Sequence, residues 1–448
     1  MNKLYVFLLG ILLTTLSIVG CKKEVDIVNP DDPNVPSEQR TGKVCPVGVS
    51  LSEAITTAIG PAGGKLTTAD DWLTISVPAG AVESNQTFSI QPITNTGPQG
   101  LGTAFRLAPH GITFKKPVTI RVHYDPDRLE GTIAQALALA YQTDNGIWRL
   151  AANGKIDTTA HTVSVETMHF SDWALLERAL LVPSVGFLKT GGNLVLGVRL
   201  LTEELFVPID KEVDVPEPFE SPSTVVDYSS WKLVGEGQLI PAAWKAQYKA
   251  PATVPARNPV AVTVKLNGPT VIEGKPYSAL WLVSNLYIGD EGITYRINGG
   301  SWVNTKVIQG AQLVSTPKGL VLMMTGGGLD NGKPVEVTIT DLNPSAYRPD
   351  GNDLGLIGGV NEYWQVGETG PKFQLSAQGG NLLYIHYYRV GKTSYPSPGK
   401  FNISQFGKVG QMITGKFELS KAGLIYPGQE SLGTTAHIEG FFQVSRTK

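Results

Sequence analysis

Across the 448 residues, apolar side chains recur at every second position in short runs, and nearly every run stops at Gly, Pro, Asn or Asp. A period of two places alternate side chains on opposite faces of a strand. The 3.6-residue period that would place one face of a helix against a core is almost absent. With 50 Gly and 30 Pro available as stops, the chain cannot sustain long helices, and short strands joined by tight turns are what remains. The expected fold class is therefore all-β, with tandem antiparallel β-sandwich domains, and the length is enough for about three of them.

The N-terminus follows other rules. Lys3 is the lone early cation, and Leu4 to Gly20 is almost wholly apolar, too short and too close to a cleavage pattern for a spanning helix. The run ends "SIVGC": Ile18, the small residues Val19 and Gly20, then Cys21. This resembles the lipobox of bacterial lipoproteins. The resemblance implies a signal peptide at 1–20, a diacylglycerol on the Cys21 thiol and an acylated Cys21 amine. Two or three acyl chains suffice for stable anchoring. Residues 21–47 are polar and Pro-rich, an expected flexible tether, and "CKKE" followed by acidic residues is similar to the surface-export signals of Bacteroidota lipoproteins. The expected location is the cell envelope, lipid-anchored at the outer membrane, and the export-signal resemblance implies its outer surface.

Cys21 and Cys45 are the only cysteines, so an acylated Cys21 leaves Cys45 without a disulfide partner. A net charge of −2 gives no basic footprint for nucleic acid. No later stretch is apolar and long enough to span a bilayer as a helix.

The first unit, 48–180, is the most informative. Leu73, Ile75 and Val77 alternate with polar residues, as do Val118, Ile120, Val122 and Tyr124 against Thr119, Arg121 and His123. "QTDNGIW" reads as a hairpin turn between "LALAY" and "IWRLA". Thr167 and His169 continue the face of Val163 and Val165, so "TMHFSDWALL" reads as the closing strand, with Phe170 and Trp173 in the core. Gly63-Gly64 before a strand ending in Pro78-x-Gly80-Ala81, then Pro109-His110-Gly111 leading through Phe114 to Pro117-Val118, then His169-Phe170-Ser171, together resemble a ZU-5 domain. In some members of that family the Phe-Ser bond breaks itself. The resemblance implies Ser171 Oγ attacking the Phe170 carbonyl carbon, His169 as general base, and an N-to-O acyl shift followed by hydrolysis. Asp172 departs from the aromatic residue that self-cleaving relatives tend to carry next. The same three residues also serve as a fold signature without chemistry, and both readings stand at this point.

The second unit, 181–268, has a strand in "GGNLVLGVRLL", then an acidic, Pro-rich insertion, "PIDKEVDVPEPFESPSTV", expected to be an exposed loop. Tyr248-x-Ala250-Pro251, Asn258-Pro259 and alternating Val260, Val262 and Val264 are similar to bacterial Ig-like domains. The third unit, 269–448, is expected to be a C-terminal β-sandwich. "ITGKFELS" and "IEGFFQVS" echo each other as neighbouring strands, with Gly415 and Gly440 allowing close approach or a bulge. This ending resembles a family of uncharacterised Bacteroidota lipoprotein domains. "TGGGLDNG" reads as a hairpin loop. "LLYIHYYRV" with Trp281, Tyr363 and Trp364 would form a sugar-stacking platform if these aromatics faced solvent, or core if not.

His110 and His123 lack ligand spacing, so no metal site is expected, and no cofactor motif is present. The chain reads as a non-enzymatic binding, adhesion or scaffold protein whose partners are the membrane, through its anchor, and a protein or glycan ligand. Self-cleavage and glycan binding are the alternatives.

Overall fold

A computed structural model describes residues 41–448 apart from 203–204, 206–208, 221–224, 268–270, 273–274, 277–279, 318, 342–355, 368–369 and 427–433. Cys21 and the tether up to residue 40 lie outside the described residues. Among the described residues every regular element is a strand or a single 3-10 turn, so the all-β, multidomain sandwich architecture is present.

The first unit packs two antiparallel sheets. One runs in the order Ile55–Ile59, Gln86–Ile93, Gly100–Ala108, Asp172–Glu177, Leu137–Gln142, Trp148–Leu150, Val213–Asp214. The other runs Gly64–Thr67, Leu73–Val77, Val118–His123, Thr162–Thr167, Lys155–Asp157. The alternation read from sequence holds: Val118, Ile120, Val122 and Tyr124 are buried, and Thr119, Arg121 and His123 are half-exposed. Gly63 takes φ +78, and a Cβ there would meet the Val77 carbonyl oxygen at 2.5 Å, which explains a glycine at the entrance to this hairpin. The Asn-Gly turn also forms, with Gly146 N–H donating to the Thr143 carbonyl at 2.8 Å.

The seven-stranded sheet is covered on both faces. Its outer face carries Ile93, Ala104, Ala138, Ala140, Trp148 and Leu176, and these lie under Cys45, Leu201 and Val215. The acidic insertion is therefore not simply an exposed loop. Val213–Asp214 extends the sheet beside Trp148–Leu150, and Val215 and Phe219 are buried. The end of the expected tether is also bound: Lys43 N–H donates to the Val215 carbonyl and Cys45 N–H to the Gly146 carbonyl, both at 2.8 Å. The physical reason is legible in the strands, since every residue of "LALAYQ" and "DWALLE" is buried. An unbroken apolar run marks a strand with two dry faces.

Two four-stranded sheets form the second sandwich: Ala179–Val182, Asn193–Leu200, Lys245–Lys249, Gln238–Ala242, and Val185–Leu188, Leu280–Ile288, Val260–Leu266, Val226–Val234. Its core needs Leu280, Leu282, Leu286 and Ile288, so the unit extends to about 288 rather than ending at 268.

The third unit draws its layers from one sheet folded over on itself. From Met412–Ile425 the order runs through Leu382–Ile385, Pro371–Ala377, Lys333–Asp341, Gly319–Asp330, Val303–Val307, Gly292–Ile297 and Thr435–Ser445, and Thr435–Ser445 pairs back onto Met412–Ile425. The separate sandwich layers expected here are thus joined into a closed ring, which leaves no free edge along it. Phe373, Phe401, Phe417, Phe442 and Trp364 fill the interior. Most of "TGGGLDNG" belongs to the strand Gly319–Asp330, and only Asn331-Gly332 turns. Phe187, Tyr287, Trp302 and Phe441 join the second and third units, with Tyr287 and Phe441 centroids 5.2 Å apart.

Glu177 ends the last strand of the first unit, directly before the second. It is buried at 7% exposure, and no cation among the described residues pairs with it. Desolvation raises its carboxyl from 4.5 to about 8. A raised acid favours the folded state while neutral, so this contribution is full below pH 4.5 and fades as the pH climbs to about 8. Glu177→Gln should flatten that slope and leave the protein more stable than wild type at pH 8.5. Urea unfolding of both proteins between pH 5 and 8.5 measures it; parallel pH profiles would refute the buried neutral acid.

Candidate functional site

The residues that carry the self-cleavage reading do not lie in a closing strand. Thr162–Thr167 belongs to one sheet of the first sandwich and Asp172–Glu177 to the other, so 168–171 is the crossover between layers. Phe170 drops from that crossover into the core, edge-on to Phe114 at 4.8 Å and to Phe88 at 5.8 Å. The Phe114 N–H donates to the Met168 carbonyl at 2.8 Å. The Pro-His-Gly stretch leading to Phe114 and the His-Phe-Ser stretch thus meet at one aromatic cluster.

Each neighbour of Phe170 is also held. Ser171 Oγ donates to the Gln142 carbonyl oxygen, and the Ser171 carbonyl accepts from Leu107 N–H at 3.1 Å. The His169 ring packs edge-on against Tyr141, centroids 4.8 Å apart, and 6.3 Å from Trp173. Among the described residues it makes no hydrogen bond to Ser171. Neither Phe170 nor Ser171 has a positive φ. Asp172 is pinned by Arg106, whose Nε and Nη2 donate to Oδ1 at 2.9 Å and Oδ2 at 2.8 Å. A serine becomes a nucleophile by handing its proton to a base. Here the hydroxyl donates to a backbone carbonyl, and the arrangement ties the crossover to the strand Leu137–Gln142.

The opposite end of the same sandwich is open. A cavity of about 390 Å³ lies between the sheets, with walls from Ile90, Leu101, Phe105, Val122, Leu175 and Trp72. Glu53, Asp70, His123 and Asp125 stand among its polar lining. Sequence reading missed it, because each wall residue is a regular strand residue and only their separation makes the space. One signal was available: "GLGT" interrupts an apolar strand with glycine, which marks bulges.

The aromatic residues expected as a sugar platform are dispersed. Trp281 is on the second sandwich, and Trp364 is buried in the third unit, donating from Nε1 to the Glu418 carbonyl at 2.7 Å. Tyr384 is buried, and Tyr363 is exposed. Tyr388 stacks with Tyr395 on a half-open surface, 5.8 Å apart. No group of three or more metal-ligating side chains converges among the described residues.

Cys45 is buried at 6% exposure, and burial raises its thiol above the ordinary value. The thiolate is the reactive form. Native protein should resist iodoacetamide at pH 7.5 and label fully only in denaturant, read by mass; rapid native labelling would contradict this packing.

No family model matches the chain. No curated protein matches it either. Function is therefore argued from the residues themselves.

Proposed function

We propose that this protein is a lipid-anchored cell-envelope protein with a non-enzymatic binding or scaffold role, built from a ZU-5-type domain, an Ig-like domain and a C-terminal β domain. The lipobox-like "SIVGC" supports the anchor, with Cys21 as the acylated residue. The observation that carries the non-enzymatic reading is the crossover at 168–171: Phe170 is core, Ser171 Oγ donates to the Gln142 carbonyl, and His169 stacks on Tyr141. These residues act as a fold signature. Val44, Val47, Val49 and Leu51 are exposed apolar residues where the chain enters the first unit, a position suited to lying close to the anchoring surface.

The test combines fractionation with intact mass. Full chain should partition with membranes and carry the mass of acyl chains, and Cys21→Ala should be soluble and unacylated. Wild type and Ser171→Ala should both stay whole through long incubation. Cleavage between Phe170 and Ser171 in wild type alone would replace this reading with the self-processing one. Soluble, unacylated wild type would remove the anchor.

A further inference from the structure

The cavity at the open end of the first sandwich has a specific cause. Trp173 pairs with Phe105 and Leu175 with Leu101, so two steps along one strand oppose four along the other. The strand Gly100–Ala108 therefore bulges between Leu101 and Phe105. Gly102 at φ +66 allows the bend, and no atom lies within 4 Å of where its Cβ would be. Bulges bend a strand away from its partner and recur beside binding sites. Here the bend falls at the cavity that Leu101, Thr103, Phe105 and Leu175 line. Its volume of about 390 Å³ is in the range of small-molecule sites, about 300–1,000 Å³.

The walls are apolar and the rim is anionic. Glu53, Asp70 and Asp125 line the cavity, His123 is the one basic group, and no Lys or Arg is in the lining. Among the described residues Glu53 makes no ion pair. Asp70 accepts a hydrogen bond from Trp72 N–H at 3.3 Å, and no cation among the described residues pairs with it. His123 faces Asp71 at 3.7 Å, a further carboxylate near the rim. Lys400 approaches Asp125 at 3.8 Å from the third unit, but it lies closer to Asp127, at 3.0 Å. A neutral or anionic guest would leave these carboxylates uncompensated, whereas a cation compensates them.

We propose that this cavity between the sheets of the first sandwich binds a small organic cation with an apolar body. The apolar part fills the space between Trp72, Phe105 and Leu175, and the charged head stays at Glu53 and Asp70. The inference does not depend on how the chain is anchored.

Three probes with one body separate the contributions: 4-phenylbutylamine, 4-phenylbutanol and 4-phenylbutyrate. Binding to the full chain is followed by ligand-observed saturation-transfer NMR and calorimetry. The amine should bind saturably and about threefold to fivefold tighter than the alcohol, with the carboxylate weakest, as expected for two exposed carboxylates. Thr103→Trp should fill the space and abolish binding of all three. Glu53→Gln with Asp70→Asn should bring amine and alcohol within about twofold of each other. Three results would overturn the proposal: no saturable binding by any probe, equal binding of amine and alcohol to wild type, or undiminished binding to folded Thr103→Trp. If Thr103→Trp does not fold, the double carboxamide variant decides alone, and an amine preference unchanged in it would also overturn the proposal.

Discussion

Phe170→Ala is expected to lower the stability of the protein by about 3–5 kcal/mol, the cost of deleting a buried aromatic ring that its surroundings cannot refill. The surroundings are stiff here. Phe88 and Phe114 stand 6.0 Å apart and stack at 16°, and Phe170 closes the cluster edge-on against both. Those two rings come from separate segments, so neither can collapse into the void without moving its own backbone. Ser171→Ala removes one hydrogen bond to the Gln142 carbonyl and should cost only about 1 kcal/mol. The ratio matters more than either value. A tripeptide kept for packing loses most at Phe170, whereas one kept for chemistry would lose processing at Ser171 with little change in stability. Urea denaturation of the two variants, followed by tryptophan fluorescence, measures both. Equal, small losses would mean that the cluster is not the anchor of this crossover.

Gly415→Ala is the second large effect, expected at about 2–4 kcal/mol from overpacking against backbone. The strands Met412–Ile425 and Thr435–Ser445 pair so that Gly415 faces Phe442 and Phe417 faces Gly440. Each phenyl ring lies over the other strand's glycine. A Cβ on Gly415 would stand 2.4 Å from Phe442 Cζ and 2.0 Å from the Asn402 carbonyl oxygen. Ring and backbone are both obstructions, so Phe442→Leu added to Gly415→Ala should relieve only part of the loss. Thermal melts of the single and double variants check this. Full recovery in the double variant would mean that the ring is the whole obstruction and the strand Lys400–Phe406 can give way.

This pairing is also the clearest case of structure legible in the sequence. The shared Ile-x-Gly-x-Phe pattern pointed to neighbouring strands with close approach at the glycines, and antiparallel pairing makes each half of the echo the complement of the other. Period-two alternation likewise gave the faces of Val118–His123 correctly, since burial of one face is a local property of a strand. What the sequence hid is non-local. The crossover at 168–171 looked like a strand because Thr167 and His169 extend the alternation of Val163 and Val165, yet the next strand joins the opposite sheet. The acidic insertion looked solvated by composition, although Val215 and Phe219 bury their apolar side chains. The division at 268 failed because the strand Leu280–Ile288 completes a sheet begun almost a hundred residues earlier, beside Val185–Leu188. The cavity was invisible for the same reason, as it exists only between two sheets and at one bulge.

The docking of residues 43–45 also has a mechanical meaning. A pull on the chain N-terminal to Lys43 does not first reach the strand Ile55–Ile59 of the first sandwich. It is taken up by the Lys43 bond to Val215 and the Cys45 bond to Gly146, so the second unit's insertion shares the load with the hairpin at 143–147. The two units therefore resist tension as a splint resists bending, each held by a piece of the other. A chain trimmed to the first unit alone would lose the strap that braces its outer sheet, and would yield at lower force than the joined pair.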